Sequence, residues 1–161
     1  MANLSIEAIA HAGGIPAATL RSWLHRGYLT RPACGWKPED AVLVRVMALL
    51  TSLGYAPDAA SRIVDTCRRE IARGEGWLVL TRGHDFALGA DGSTTRGGTL
   101  ALTRREDVVA VLARLLDSNM DAAEAVLVDL RRLREKTELA LSHFNATRRP
   151  RGRPKKQGGY E

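Results

Sequence analysis

Cysteine is scarce in this chain: there are two, Cys34 and Cys67, and they form neither a CxxC pair nor a cluster with histidine. That spacing excludes a disulfide framework and gives no support to a thiol-based metal or oxidant sensor. Cys67 falls on an apolar helix face and reads as a small buried residue. His11, His25 and His143 are scattered, with no zinc-ligand spacing. Long apolar runs are missing too. The best, Ala41 to Leu50, is broken by Arg45 and falls well short of the ~20 residues that span a bilayer. Glu7 and His11 interrupt the N-terminal apolar positions that a signal peptide would need. Gly89, Gly92, Gly97 and Gly98 flank turns without the Lys-Ser/Thr pair of a phosphate-binding loop, and His84-Asp85 has no third partner in reach. No enzymatic activity, metal, cofactor or membrane partner is expected.

What is present is positive charge in one place. The formal net charge is +6 over 161 residues, with 45% apolar residues to build a core. Between Asn145 and Glu161 lie six basic residues and one acid, so the tail carries +5 and the remainder only +1. Within it the run Arg149-Pro150-Arg151-Gly152-Arg153-Pro154-Lys155-Lys156 has a distinct physical logic. Proline disfavours helix, and Gly152 lets backbone approach the floor of a narrow groove. Arg151 and Arg153 flank that glycine and can extend along the groove in opposite directions. A·T tracts supply a narrow, strongly negative minor groove without the obstructing guanine amino group. The segment resembles an AT-hook through its Pro-Arg-Gly-Arg-Pro core, with Arg149, Lys155 and Lys156 as the flanking basic residues. Arg outnumbers Lys by 20 to 4 and Ala is abundant, which points to GC-rich coding and few strong A·T targets.

Four helices are expected before Gly74: Ile6 to Ala12, Pro16 to Gly27, a third from Pro38-Glu39-Asp40 to Leu53-Gly54-Tyr55, and a fourth from Pro57 to Ile71. Three short strands follow, Trp77–Thr81, Asp85–Leu88 and Thr99–Thr103, separated by glycine-rich turns. Thr103 to Glu106 has capping-box spacing ahead of a helix with Val108, Val111, Leu112 and Leu115 on one face. Asp121 to Phe144 is the longest helical pattern. Ala123, Val126, Leu130, Leu133, Thr137, Ala140 and Phe144 there take alternating steps of three and four, as at a coiled-coil seam. A homodimer through this helix is expected, with packing onto the chain's own middle segment as the competitor.

Two short helices about a glycine turn, between Ile6 and Arg26, have helix-turn-helix spacing. The residues Ile6-Glu7-Ala8-Ile9-Ala10, Gly14 to Trp23, Arg26-Gly27-Tyr28-Leu29, and later Leu53-Gly54-Tyr55-Ala56 before Pro57, resemble the MerR family. The resemblance covers about Leu4 to Ala72. It implies a winged helix-turn-helix with Tyr28 to Lys37 as the wing, and an antiparallel helical dimer. Thr19 and Arg21 would lie on the recognition helix, with Arg26, Arg31 and Lys37 placed for backbone contacts. Ala17 and Ala18 depart from the larger polar side chains common there, and Ser22 from an aromatic, so modest base specificity is expected.

The expected fold class is therefore mainly α: a winged helix-turn-helix over residues 1–73, a small β-containing segment and a long helix over 74–144, and a disordered AT-hook tail over 145–161. The expected function is a DNA-binding transcriptional regulator of double-stranded, preferably A·T-rich DNA, cytoplasmic and at the nucleoid of a bacterium or phage-encoded. The DNA-contacting residues would be Thr19, Arg21, Arg26, Arg31, Lys37, Arg149, Arg151, Gly152, Arg153, Pro154, Lys155 and Lys156. An architectural nucleoid-associated protein and an excisionase-like recombination accessory factor are the alternatives.

Overall fold

The computed structural model describes residues 4–88, 94–118 and 122–147. Its elements run α1 (Ile6–Gly13), α2 (Ala17–His25), α3 (Pro38–Ser52), α4 (Pro57–Thr66), α5 (Arg68–Arg73), β1 (Trp77–Leu88), β2 (Thr94–Thr103), a 3-10 turn (Arg105–Asp107), α6 (Val108–Ser118), β3 (Ala122–Asp129) and α7 (Leu130–Thr147). The protein is mainly helical, with one antiparallel sheet in the order β2-β1-β3.

Local chemistry accounts for the helix ends. The Ser5 hydroxyl accepts from the Ala8 N–H to start α1, and Gly14, at φ +74°, closes it in the left-handed region. Pro16 precedes α2, and the Asp40 carboxylate accepts from the Lys37 N–H at 2.9 Å to start α3. Helix α3 is the hub. Ala41, Val42, Leu43, Val44, Val46, Met47 and Leu50 are all buried, so it is covered on most of its circumference. Helices α1, α4, α5 and α7 all pack on it. Gly13 permits the close approach of α1: a Cβ there would lie 2.5 Å from Val44 Cγ1.

The sequence pattern Pro57 to Ile71 is not one helix. The backbone breaks at Cys67, separating α4 from α5, after Thr66 Oγ1 donates back to the Arg62 carbonyl at 2.8 Å. The first two expected strands merge into β1, and β2 extends well before Thr99. Gly83 lies within β1 and Gly97 and Gly98 within β2, and the β1–β2 register shifts between Arg82 and Phe86, while Gly89 and Gly92 lie outside the described residues.

A larger correction concerns Asp121 to Phe144. Its first part is strand β3, paired antiparallel with β1 in the register Leu80↔Val126 and Leu78↔Val128. The segment Ala125-Val126-Leu127-Val128 also alternates with period two, and the β-branched valines join Leu78 and Leu80 in the core. The helix begins only at Leu130, where the Asp129 carboxylate accepts from the Arg132 N–H at 3.1 Å.

The apolar stripe expected to meet a second copy is used within the chain. Leu130, Thr137 and Leu141 are buried, with Leu133, Ala140 and Phe144 packed beside them, as α7 lies on α1, α3 and α5. It packs on the N-terminal helices, where the competing reading had named the middle segment. The buried Thr137 hydroxyl is satisfied by the Leu133 carbonyl at 2.7 Å. Arg134 pins the end of α5, donating to the Ala72 and Arg73 carbonyls at 3.2 and 2.9 Å while its Nε meets Glu138 at 2.7 Å. That hydrogen bond to Glu138 pushes the guanidinium pKa further up. Helix α6 packs on β1 and β2.

Leu130→Ala should lower stability by about 2–5 kcal/mol in denaturant unfolding, because it opens a cavity where α7 enters the core. Leu139→Ala on the outward side of α7, 57% exposed, should change it by less than about 0.5 kcal/mol.

Candidate nucleic-acid interface

Helices α1 and α2 are joined by the turn through Gly14, Ile15 and Pro16. Leu20 and Trp23 bury one side of α2 in the core. That leaves Ala18, Arg21, Ser22 and His25 exposed at helical spacing on the opposite side. Thr19 lies at the border, half-buried. No acid occupies the first turn of α2, so its positive dipole end is uncompensated there.

The segment Tyr28 to Lys37 leaves α2 at Gly27, whose φ of +73° only glycine adopts without strain. This stretch is a loop without a hairpin of its own. Its one pairing is an isolated bridge in which the Leu4 N–H donates to the Trp36 carbonyl at 3.3 Å. Ser61 on α4 also holds the loop, its hydroxyl donating to the Tyr28 carbonyl at 2.5 Å. Buried Leu29 and Trp36 anchor it to the helices.

The loop and α2 together frame a groove of about 560 Å³. Leu4, Ile6, Leu24 and Trp36 supply its apolar part, and Ser5, Arg21, His25 and Arg31 its polar part. The structure thus brings Arg21 and Arg31 together, although ten residues separate them in sequence. Arg26 and Lys37 are exposed near by but outside the groove lining. His25 was missed by the sequence reading. Its signal was there: it stands four residues after Arg21, hence on the same side of α2.

Arg21 does not stand alone. Its guanidinium donates to Glu7 Oε1 at 2.6 Å, tying α2 to the first turn of α1. The side chains are 56% and 45% exposed, so this pair orients Arg21 more than it stabilises the fold. Among the described residues, Arg26, Arg31 and Lys37 make no salt bridge. The arrangement can offer phosphate three unpaired cations and one oriented guanidinium. The tail residues Arg149, Arg151, Gly152, Arg153, Pro154, Lys155 and Lys156 lie outside the described residues.

A second concavity, of about 720 Å³, lies where β1 and α7 begin, around Trp77, Arg104, Arg131 and Arg132. Glu106, Asp129 and Glu135 line it as well, and Arg131 and Arg132 pair with Glu135 and Asp129 at 3.1 and 3.8 Å. Its charge is compensated locally, which disfavours a polyanion. Of the two thiols, Cys34 is exposed in the loop. Cys67 is buried, and burial, reinforced by the Glu70 carboxylate, pushes its pKa up and keeps it protonated.

Comparison with known proteins found no family model and no curated protein that the chain matches.

A double-mutant cycle of Glu7→Gln and Arg21→Ala, read by denaturant unfolding, should give a coupling of about 0.2–1 kcal/mol. A coupling above about 2 kcal/mol would mean that the pair is a structural clamp and not a rearrangeable surface contact.

Proposed function

We propose that this protein is a DNA-binding transcriptional regulator that places α2 in the major groove and its basic tail in an adjacent A·T-rich minor groove. The observation that carries the reading is the side of α2 opposite Leu20 and Trp23. It bears Arg21 and His25, opens onto the groove that also holds Arg31, and is exposed among the described residues. Resemblance of the helix pair to the MerR module and of Arg149–Lys156 to an AT-hook supports it from sequence. The role of the wing falls to the loop 28–37, through Arg31 and Lys37. Each reader is weak on its own, and linkage raises occupancy through effective concentration. The site of action is the cytoplasm, and no catalytic step is part of the proposal. A second copy of the chain would meet the outward side of α7, since the inward side is occupied.

Architectural coating of A·T-rich DNA is the second reading, favoured by one observation. Ala18 and Ser22 give the exposed side of α2 little reach, so few groups are available to read bases.

Replacing Arg151 and Arg153 by Ala should weaken binding to A·T-rich duplexes far more than to G·C-rich ones, measured by fluorescence anisotropy at fixed salt. Equal losses on both would reduce the tail to a nonspecific basic segment.

Arg21→Ala should abolish discrete footprints while leaving the fold and the A·T preference of the tail intact. A contact to a base edge is worth roughly 1–3 kcal/mol, a loss of about tenfold or more. Wild-type footprints in that variant would remove α2 as the specificity element and favour the architectural reading.

A further inference from the structure

We infer that Glu7 decides what Arg21 can contact: by holding the guanidinium it withdraws Arg21 from phosphate and leaves it to a base edge. Glu7 is then a specificity-determining residue that acts through its neighbour, from the helix before the proposed recognition helix. This rests on the DNA-binding reading above and adds a division of labour among its cations.

The Arg21 side chain is held at both ends. At its root, buried Leu20 and Trp23 fix the side of α2 from which it emerges. Along its length it lines the groove that Ile6, Leu24 and Trp36 also line. At its tip, Nη2 donates to Glu7 Oε1 at 2.6 Å, across fourteen residues of sequence. Glu7 itself stands in the first turn of α1, which the Ser5 hydroxyl opens, and the helix dipole favours a negative charge there. A guanidinium has five N–H donors, and this bond uses one of them. Both side chains are about half exposed, so the remaining donors are within reach of a second acceptor.

Charge decides which acceptor that is. A lone arginine at a duplex surface gains most from the phosphates, whose charge dominates sequence-independent binding. Arg21 and Glu7 together carry no net charge. A phosphate brought to the guanidinium would also stand near the carboxylate, and the repulsion offsets much of the attraction. A base edge has no net charge and meets no such repulsion, and a guanidinium can bond guanine N7 and O6 bidentately. Because Glu7 has already ordered the side chain, less freedom is lost on binding. Arg26, Arg31 and Lys37 make no salt bridge among the described residues, so they are the groups that serve phosphate.

The test compares the full-length protein with Glu7→Gln, Arg21→Ala, Arg21→Lys and the Glu7→Gln/Arg21→Ala double variant. Two duplexes serve as probes: one enriched by the wild type from a random pool, and the same duplex with its motif scrambled and its flanks kept. Fluorescence anisotropy over a salt series gives the affinity ratio between them and the salt slope, and thermal unfolding checks the fold. Glutamine keeps the size and an acceptor while removing the charge. Glu7→Gln should bind the scrambled duplex several-fold tighter, steepen the slope of log K against log salt by about one unit, and lower the ratio by about tenfold. Arg21→Lys, which keeps Glu7 but cannot bond bidentately, should lower the ratio as well. With Arg21 already Ala, Glu7→Gln should leave the ratio unchanged. A wild-type ratio in Glu7→Gln, alongside its loss in Arg21→Ala, overturns the inference and leaves the regulator reading standing. An equal fall in ratio with Arg21 absent also overturns it, since Glu7 would then act as a general charge. A wild type that enriches no motif, or binds both duplexes alike, overturns the inference and the regulator reading together.

Discussion

Packing of α7 on α1 and α3 is the constraint on which the rest of the structure depends. The helix enters at Leu130, directly after a strand that pairs with β1, so its burial ties the sheet to the helical core at one end. At the other end it sets Phe144 against His11. Arg134 fastens the same helix to the end of α5 by donating to two carbonyls that the helix itself leaves without partners. One apolar stripe thereby joins three parts of the chain that have little reason to associate from their local sequence.

The electrostatics divide along the same line. The body carries almost no net charge, and several of its arginines are paired within an element or between neighbours, as in Arg131–Glu135, Arg62–Asp58 and Arg68–Asp65. Such exposed pairs add little stability, but they remove cations from the pool that could attract phosphate. The helix pair keeps Arg26, Arg31 and Lys37 outside this pairing, and Glu7 holds Arg21 in one direction. On the DNA-binding proposal, such a surface would favour orientation over attraction and leave long-range attraction to the basic residues after Asn145.

Much of the fold was legible. The N-terminal helices follow from Pro16, Pro38 and Pro57 at helix starts and from Gly14, Gly54 and Gly74 after helix ends, because proline and glycine act through local backbone preference. The stretch from Ala123 to Phe144 is ambiguous in sequence because its apolar positions satisfy two periods at once. Spacing by three and four was visible along its whole length, whereas the choice of strand for Val126 and Val128 came from pairing with β1. Asp129 was the available stop signal, a capping residue at the junction. For the site, Arg21 and Arg31 were identifiable singly, but their shared groove and the part of His25 in it required the loop to fold back against α2.

Sequence alone determined the helix boundaries near proline and glycine, the near-neutral body and the concentration of positive charge after Asn145. These depend on residues close together in the chain or on composition. Tertiary structure alone decided that β3 is a strand, that the stripe on α7 faces its own α1 and α3, and that the loop 28–37 closes a groove with α2. Each of those is a competition between partners distant in sequence, settled by which arrangement buries the most apolar surface while leaving no buried polar group unsatisfied.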